Sequence, residues 1–286
     1  MKSSHKQTSG QGRNRRPPAA ESKAGPPPRR GRAGPLLLGG FALALAGAGA
    51  AHFFNRPRSG ARVQTTNSAA TTNAAAMAPE TNVFTNFPPR ELSKDDAPQF
   101  INYGNSLLEQ GRMKEAIAVY QEALKLTPED EEAHFDLAYA YSRNRQITAA
   151  IQEYTEALRL WPEYPEAHNN LGNILAAQRN YEEAIKHFTA ALKTSPEYAS
   201  AMNNLGKVLV LQGKTSEAIG HFSETIRIDA KNIEARYNLA NAFFTLGKLD
   251  EAITLFEEAL RIDSKFQLAA DGLARARQQK QALLKP

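Results

Sequence analysis

The sequence predicts an all-α protein: a right-handed α-solenoid of helix-turn-helix repeats, preceded by a disordered basic tail, one transmembrane helix and a flexible linker. Three observations carry that prediction. From Ala97 onward the chain repeats every 34 residues, one column of the repeat is alanine without exception, and an aromatic residue stands four places after each of those alanines.

The formal net charge of +5 is placed unevenly. Residues 1–32 carry nine Lys or Arg against Glu21 alone, while residues 97–286 carry twenty-one against twenty-five acids. The high isoelectric point therefore belongs to a tail, and nucleic-acid binding, which needs a basic face on the folded part, is not expected. The chain has no cysteine, which excludes disulfides, thiolate metal sites and cysteine nucleophiles.

Residues 1–34 are rich in Arg, Pro, Gly and Ser and show no apolar periodicity. Such a stretch cannot bury enough surface to offset its ordering entropy, so it reads as a disordered cytoplasmic tail. Pro35 to Phe54 are twenty residues without an acidic or basic charge, His52 being the one titratable group. As a helix they would span roughly 30 Å, one hydrocarbon core, so residues 35–54 read as a signal anchor. Six Lys or Arg lie within twenty residues upstream (Arg15, Arg16, Lys23, Arg29, Arg30, Arg32) against Arg56, Arg58 and Arg62 downstream. That asymmetry predicts a single-pass topology with the N-terminus cytoplasmic and the repeats outside, periplasmic if bacterial. The alternative is secretion after cleavage, since Ala46-Gly47-Ala48 offers small residues where a signal peptidase cuts. Residues 55–96, dominated by Thr, Asn, Ala and Pro, read as a linker that would hold the folded part roughly 35 Å from the membrane.

The rows of the repeat are 97–130, 131–164, 165–198, 199–232 and 233–266. One column is Ala116, Ala150, Ala184, Ala218, Ala252; the next is Tyr120, Tyr154, Phe188, Phe222, Phe256; a third is Ala123, Ala157, Ala191, Thr225, Ala259. Near the start of each row stand Gly104, Ala138, Gly172, Gly206 and Ala240. Spacings of three, four and seven place these side chains on one helical face. Small residues let two helices approach, and the ring fills the space beside them. Pro128, Pro162 and Pro196 lack the amide hydrogen a helix needs, so the second helix of each row should end there. Ala230 and Ser264 replace them in rows four and five. Ser93 and Asp96 fit a capping box ahead of the first helix. Residues 267–286 form a C-terminal cap, with a helix over 267–282 that turns Leu268, Leu273 and Ala276 inward.

This pattern resembles the tetratricopeptide repeat, five units of it. The resemblance implies a non-enzymatic scaffold whose first helices line a concave groove for a peptide segment or partner protein. Two columns on those helices are the candidate peptide-binding residues: Asn102, Asp136, Asn170, Asn204, Asn238, and, three places on, Asn105, Tyr139, Asn173, Lys207, Asn241. An amide side chain both donates and accepts, so a ladder of them can pair with an extended backbone of any sequence. The ladder resembles that of O-linked N-acetylglucosamine transferases, with Lys207, Tyr139 and Arg143 adding selectivity. On this reading Asn170 and Asn204 are replaceable by alanine at little cost in stability. An accessory subunit of an envelope-assembly or glycosyl-transfer enzyme is the alternative role.

No catalytic, metal, cofactor or small-molecule site is expected. The histidines recur with the repeat (His134 and His168, His187 and His221) and do not converge by sequence, and the chain has no phosphate-cradling glycine loop or nucleophile motif. Partner, pathway and oligomeric state are not specified by the sequence.

Overall fold

In the computed structural model the described residues are 92–285, and all regular structure among them is helical. The tail, the apolar segment 35–54 and the linker up to residue 91 lie outside them. Among the described residues no helix is long and apolar enough to cross a membrane.

The repeat dictates the element boundaries. First helices begin at the first residue of each row: α1 (Ala97–Glu109), α3 (Glu131–Arg143), α5 (Pro165–Ala177), α7 (Ala199–Leu211) and α9 (Ile233–Thr245). The second helices are α2 (Met113–Leu126), α4 (Ile147–Leu160), α6 (Tyr181–Thr194), α8 (Thr215–Ile228) and α10 (Leu249–Ile262). The last helix, α11 (Gln267–Leu283), starts 34 residues after α9 and takes the place of a sixth first helix. It covers the final hairpin by burying Ala269, Gly272 and Ala276, while Leu268 and Leu273 are only half-buried.

Three local devices set the turns. Each first helix closes on a left-handed residue: Gly111, Arg145, Arg179, Gly213 and Gly247, with φ of 77°, 62°, 64°, 79° and 73°. The amide after it returns to the carbonyl five residues back, as from Arg112 to Leu107 at 2.9 Å and from Lys214 to Leu209 at 2.8 Å, satisfying carbonyls the helix end leaves open. The second helices of rows four and five stop in register without proline. There the carboxylates of Asp229 and Asp263 accept from the backbone amides of Lys231 (3.1 Å) and Lys265 (2.9 Å), an Asx turn that does the work of proline. At the N-terminal end the predicted capping box of Ser93 and Asp96 is present, and it caps a single 3-10 turn, Lys94–Asp96, that leads into α1. The Ser93 amide donates to the Asp96 carboxylate at 2.8 Å, and the Ser93 hydroxyl lies 3.2 Å from the same oxygen.

The core is the column pattern made solid. All five alanines of the first column are fully buried, as are Tyr120, Tyr154, Phe188 and Phe256, with Phe222 at 1% exposure. A Cβ added at Gly206 would stand 2.6 Å from the Phe222 ring, and one at Gly172 would stand 2.8 Å from Phe188. These glycines are the room the rings occupy. Every helix packs on its neighbours in sequence, α1–α3, α5–α7, α7–α9 and α9–α11 also touch, and among the described residues no pair of second helices packs to that extent. The first helices thus form the inner face of the array and the second helices its outer face.

Candidate functional site

The inner face is a continuous polar strip, built because the same helix positions recur beside one another. The Asn204 amide donates to the Asn169 side-chain oxygen at 3.1 Å, joining α7 to α5. Asn238 donates to Asn203 at 3.0 Å, joining α9 to α7. Lys207, on α7, meets Glu234, on α9, at 2.9 Å.

The ten predicted residues fall in several settings. Asn102 is exposed on α1, and Asn241 is half-buried on α9. Asn204, Asn238 and Lys207 lie on the strip, making the bonds between first helices just described. Asn105 and Asn170 instead reach aromatic hydroxyls of second helices. The Tyr120 hydroxyl donates to Asn105 at 2.5 Å, and Asn170 donates to the Tyr154 hydroxyl at 3.2 Å. Tyr139, on α3, accepts from Arg143 at 3.2 Å. Asp136 and Asn173 are buried on the same face of α3 and α5.

The expectation that Asn170 is replaceable without cost is corrected by this geometry. Its side chain is fully buried and serves a phenol that is itself fully buried. The cause is the aromatic column. Rows one and two carry tyrosine, whose hydroxyl must be satisfied inside the core, whereas rows three to five carry phenylalanine, and Asn204 and Asn238 bond to other asparagines. Asn169 and Asn203, half of each inter-helix pair, were missed by the sequence reading. The signal was present in the doublets Asn169-Asn170 and Asn203-Asn204, 34 residues apart.

The histidine columns pair across helices. His134 Nδ1 contacts Glu153 at 2.6 Å, and His168 Nδ1 contacts His187 Nδ1 at 2.8 Å. Burial opposes charge on His134, but its bonds to Glu153 and to the Pro128 carbonyl outweigh this and raise its pKa. Burial lowers His168, and burial together with the neighbouring His168 lowers His187 to about 4. The Pro128 and Pro162 carbonyls accept from the outer nitrogens of His134 and His168, so both rings brace the turn before their own helix. Among the described residues no three His, Asp or Glu side chains converge to hold a metal ion. An open cleft lined by Ile117, Gln121, Tyr141 and Arg145 contains none of the predicted residues.

Family models of the tetratricopeptide repeat match residues 104–144, 135–196, 169–233 and 209–276, together more than half of the chain. No curated protein matches the sequence. Among solved structures the chain is similar to a MamA protein, at 26% identity and a TM-score of 0.53, over 60% of this chain and 93% of that one. It is similar to YrrB, described as a TPR protein with an unusual peptide-binding site, at 23% identity and a TM-score of 0.53, over 62% and 92%. The Pseudomonas aeruginosa pilF structure matches at 23% identity and a TM-score of 0.55, over 66% and 93%. With an all-helical array whose period, small-residue columns and hairpin boundaries repeat together, the chain belongs to the tetratricopeptide repeat family.

Proposed function

We propose that the protein is a non-enzymatic interaction scaffold that takes an extended segment of a partner along the face of its first helices. Tetratricopeptide repeat proteins mediate protein–protein interactions, and the observation that carries this reading is the polar strip itself. Side chains with both donors and acceptors recur along it at the helix spacing, which suits a backbone running across the helices. Because Asn170, Asn204 and Asn238 are engaged inside the array, the contacts fall to exposed Asn102 and to Asn241, with Asn173, Tyr139 and Lys207 shaping the floor.

The scaffold is held to a membrane by residues 35–54, with the array outside the cytoplasm. The length of that apolar stretch and the excess of basic residues before it support this arrangement. A photo-crosslinking residue at Asn102 or Asn241 should capture a partner in membranes of the native host, while one at Lys186, on the outer face, should not. Equal capture from both faces would reject the groove. Carbonate extraction and N-terminal sequencing test the anchor: release of a chain beginning after Ala48 would replace it with secretion.

A further inference from the structure

The two candidate columns do not end at α9. Because α11 starts 34 residues after α9, it carries their next members, Gly272 and Arg275, which stand 34 places after Asn238 and Asn241. Gly272 is buried against the Phe256 ring. Arg275 is exposed. Lys207, in the same column, is buried and paired with Glu234, but Arg275 has no carboxylate partner among the described residues. Its guanidinium lies over the half-buried Phe244 ring, 6.0 Å from the centroid, and its Nε makes one long bond, 3.4 Å, to the Asp271 carbonyl. Asp271 is the one acid of α11, and its carboxylate accepts from Gln267, a turn earlier, at 2.8 Å.

Beside this cation lies an apolar shelf. Leu211 ends α7 and Leu246 is the residue after α9; they are 39% and 42% exposed, and within the five rows the other large hydrophobic so exposed is Ile262, at the end of outer-face α10. Leu211 stands seven residues after Asn204 and four after Lys207, and Phe244 three after Asn241, so both continue the polar face of their own helix. Leu211 and Leu246 are 35 residues apart, the offset at which Asn169 meets Asn204 and Asn203 meets Asn238. In rows one to three the place of Leu211 is taken by Glu109, Arg143 and Ala177, which confines the shelf to this end. Lys214 and Lys248 follow the two leucines in the turns, the second 5.6 Å from the Phe243 ring centroid, and neither forms an ion pair among the described residues. The acids nearest them in sequence, Glu217 and Glu251, belong to second helices, which face outward.

We propose, resting on the groove reading above, that this end of the inner face recognises an extended internal segment of a partner in which an aspartate or glutamate stands beside large apolar side chains. The planar guanidinium of Arg275 matches a carboxylate through two parallel bonds, and an exposed cation resting on a ring face is held weakly enough to turn toward one. The spacing suits an extended chain, whose side chains point the same way every second residue, about 7 Å apart. From Arg275 to Leu211 the segment crosses α9, two interhelix spacings of about 10 Å, which takes about six residues. A carboxylate at Arg275 therefore sets the side chains two and four residues on over Phe244 and the two leucines, with Asn241 beside the segment's backbone. Charge selects the same partner, since a basic segment would meet Arg275, Lys214 and Lys248 together.

The probe is a library of end-blocked octapeptides, randomised at every position and presented to the full chain in detergent. Retained sequences should be enriched in Asp or Glu two residues from Leu, Ile, Phe or Met. For an enriched peptide, Arg275→Gln should weaken binding about tenfold, and Leu211→Ser with Leu246→Ser by about the same factor, while Lys186→Gln on the outer face leaves it unchanged. All four side chains are exposed, so helical circular dichroism should stay constant throughout. No enrichment overturns the proposal, as does enrichment of basic or purely polar sequences, or binding indifferent to both inner-face variants. So does retention that requires a free C-terminus, which would mean a terminal carboxylate, or a dimer that Leu211→Ser with Leu246→Ser dissociates while no peptide is retained, which would mean a second copy. Any of these leaves partner capture at Asn102 and Asn241 standing, whereas loss of capture at both with peptide binding intact rejects the partner groove alone.

Discussion

Replacing Asn170 by alanine separates a structural from a purely recognitional asparagine. The side chain is fully buried, and its amide donates to the Tyr154 hydroxyl at 3.2 Å. Truncation removes a hydrogen bond worth about 1 kcal/mol net and strips a partner from a phenol oxygen that has no route to water, which costs about 1–3 kcal/mol. A loss of about 2 kcal/mol is expected, or roughly 4–8 °C in melting temperature for an array of this size. The internal control is Tyr154→Phe. Phenylalanine already fills this column at 188, 222 and 256, and removing both polar partners leaves no orphaned phenol, only the weaker 3.3 Å bond that Asn169 donates to Asn170 being lost. On the Tyr154→Phe background the cost of Asn170→Ala should therefore fall below about 1 kcal/mol. Thermal melts of the four chains complete the cycle, and hydrogen exchange should show the loss concentrated in α4 and α5, because a repeat array unfolds by neighbouring units. A melting temperature unmoved by Asn170→Ala, or an equal loss with and without the Tyr154 hydroxyl, would refute the account.

Gly206→Ala forces a methyl group to within 2.6 Å of the Phe222 ring; denaturant unfolding should show a loss of about 1–2 kcal/mol, relieved on a Phe222→Leu background. Arg179→Gly acts in the opposite direction, gaining about 0.5–1 kcal/mol in the same assay, because its φ of 64° is a conformation glycine adopts without strain. The histidines make stability depend on pH. His168 and His187 have folded values below the unfolded one, so their contribution is complete above about pH 6.5 and is lost as pH falls through the folded values, about 4 for His187. His134 is raised, so its contribution is present below about pH 6.5 and disappears as pH rises through its folded value. Relative to the parent, His187→Asn should therefore flatten the fall in melting temperature between pH 6.5 and 4, by about 1–2 kcal/mol after discounting for partial exposure; parallel profiles would contradict this.

The architecture was legible because the repeat is written five times. A fully buried alanine can be replaced in one row without notice, but Ala116, Ala150, Ala184, Ala218 and Ala252 in step report a helix approach that every hairpin shares. Even the helix starts follow the period without drift, from Ala97 to Gln267. The helix stops were harder to read where proline is absent, since the Asp229 and Asp263 side chains achieve the same stop through bonds that no apolar pattern announces. The polar columns were legible as a face but not as a set of partners.

The sequence by itself determined the helices, their order, their pairing into hairpins and which face of each is apolar, because those follow from local periodicity and from side chains whose size alone selects their neighbours. Only the tertiary structure decided which asparagines are engaged within the scaffold and with which partners. Asn170 and Asn204 occupy the same column, yet one serves the Tyr154 hydroxyl and the other Asn169. The physical reason is that a hydrogen bond is fixed by angle and by a partner sixteen or thirty-five residues away, and a period of 34 places equivalent residues alike without specifying what each one meets.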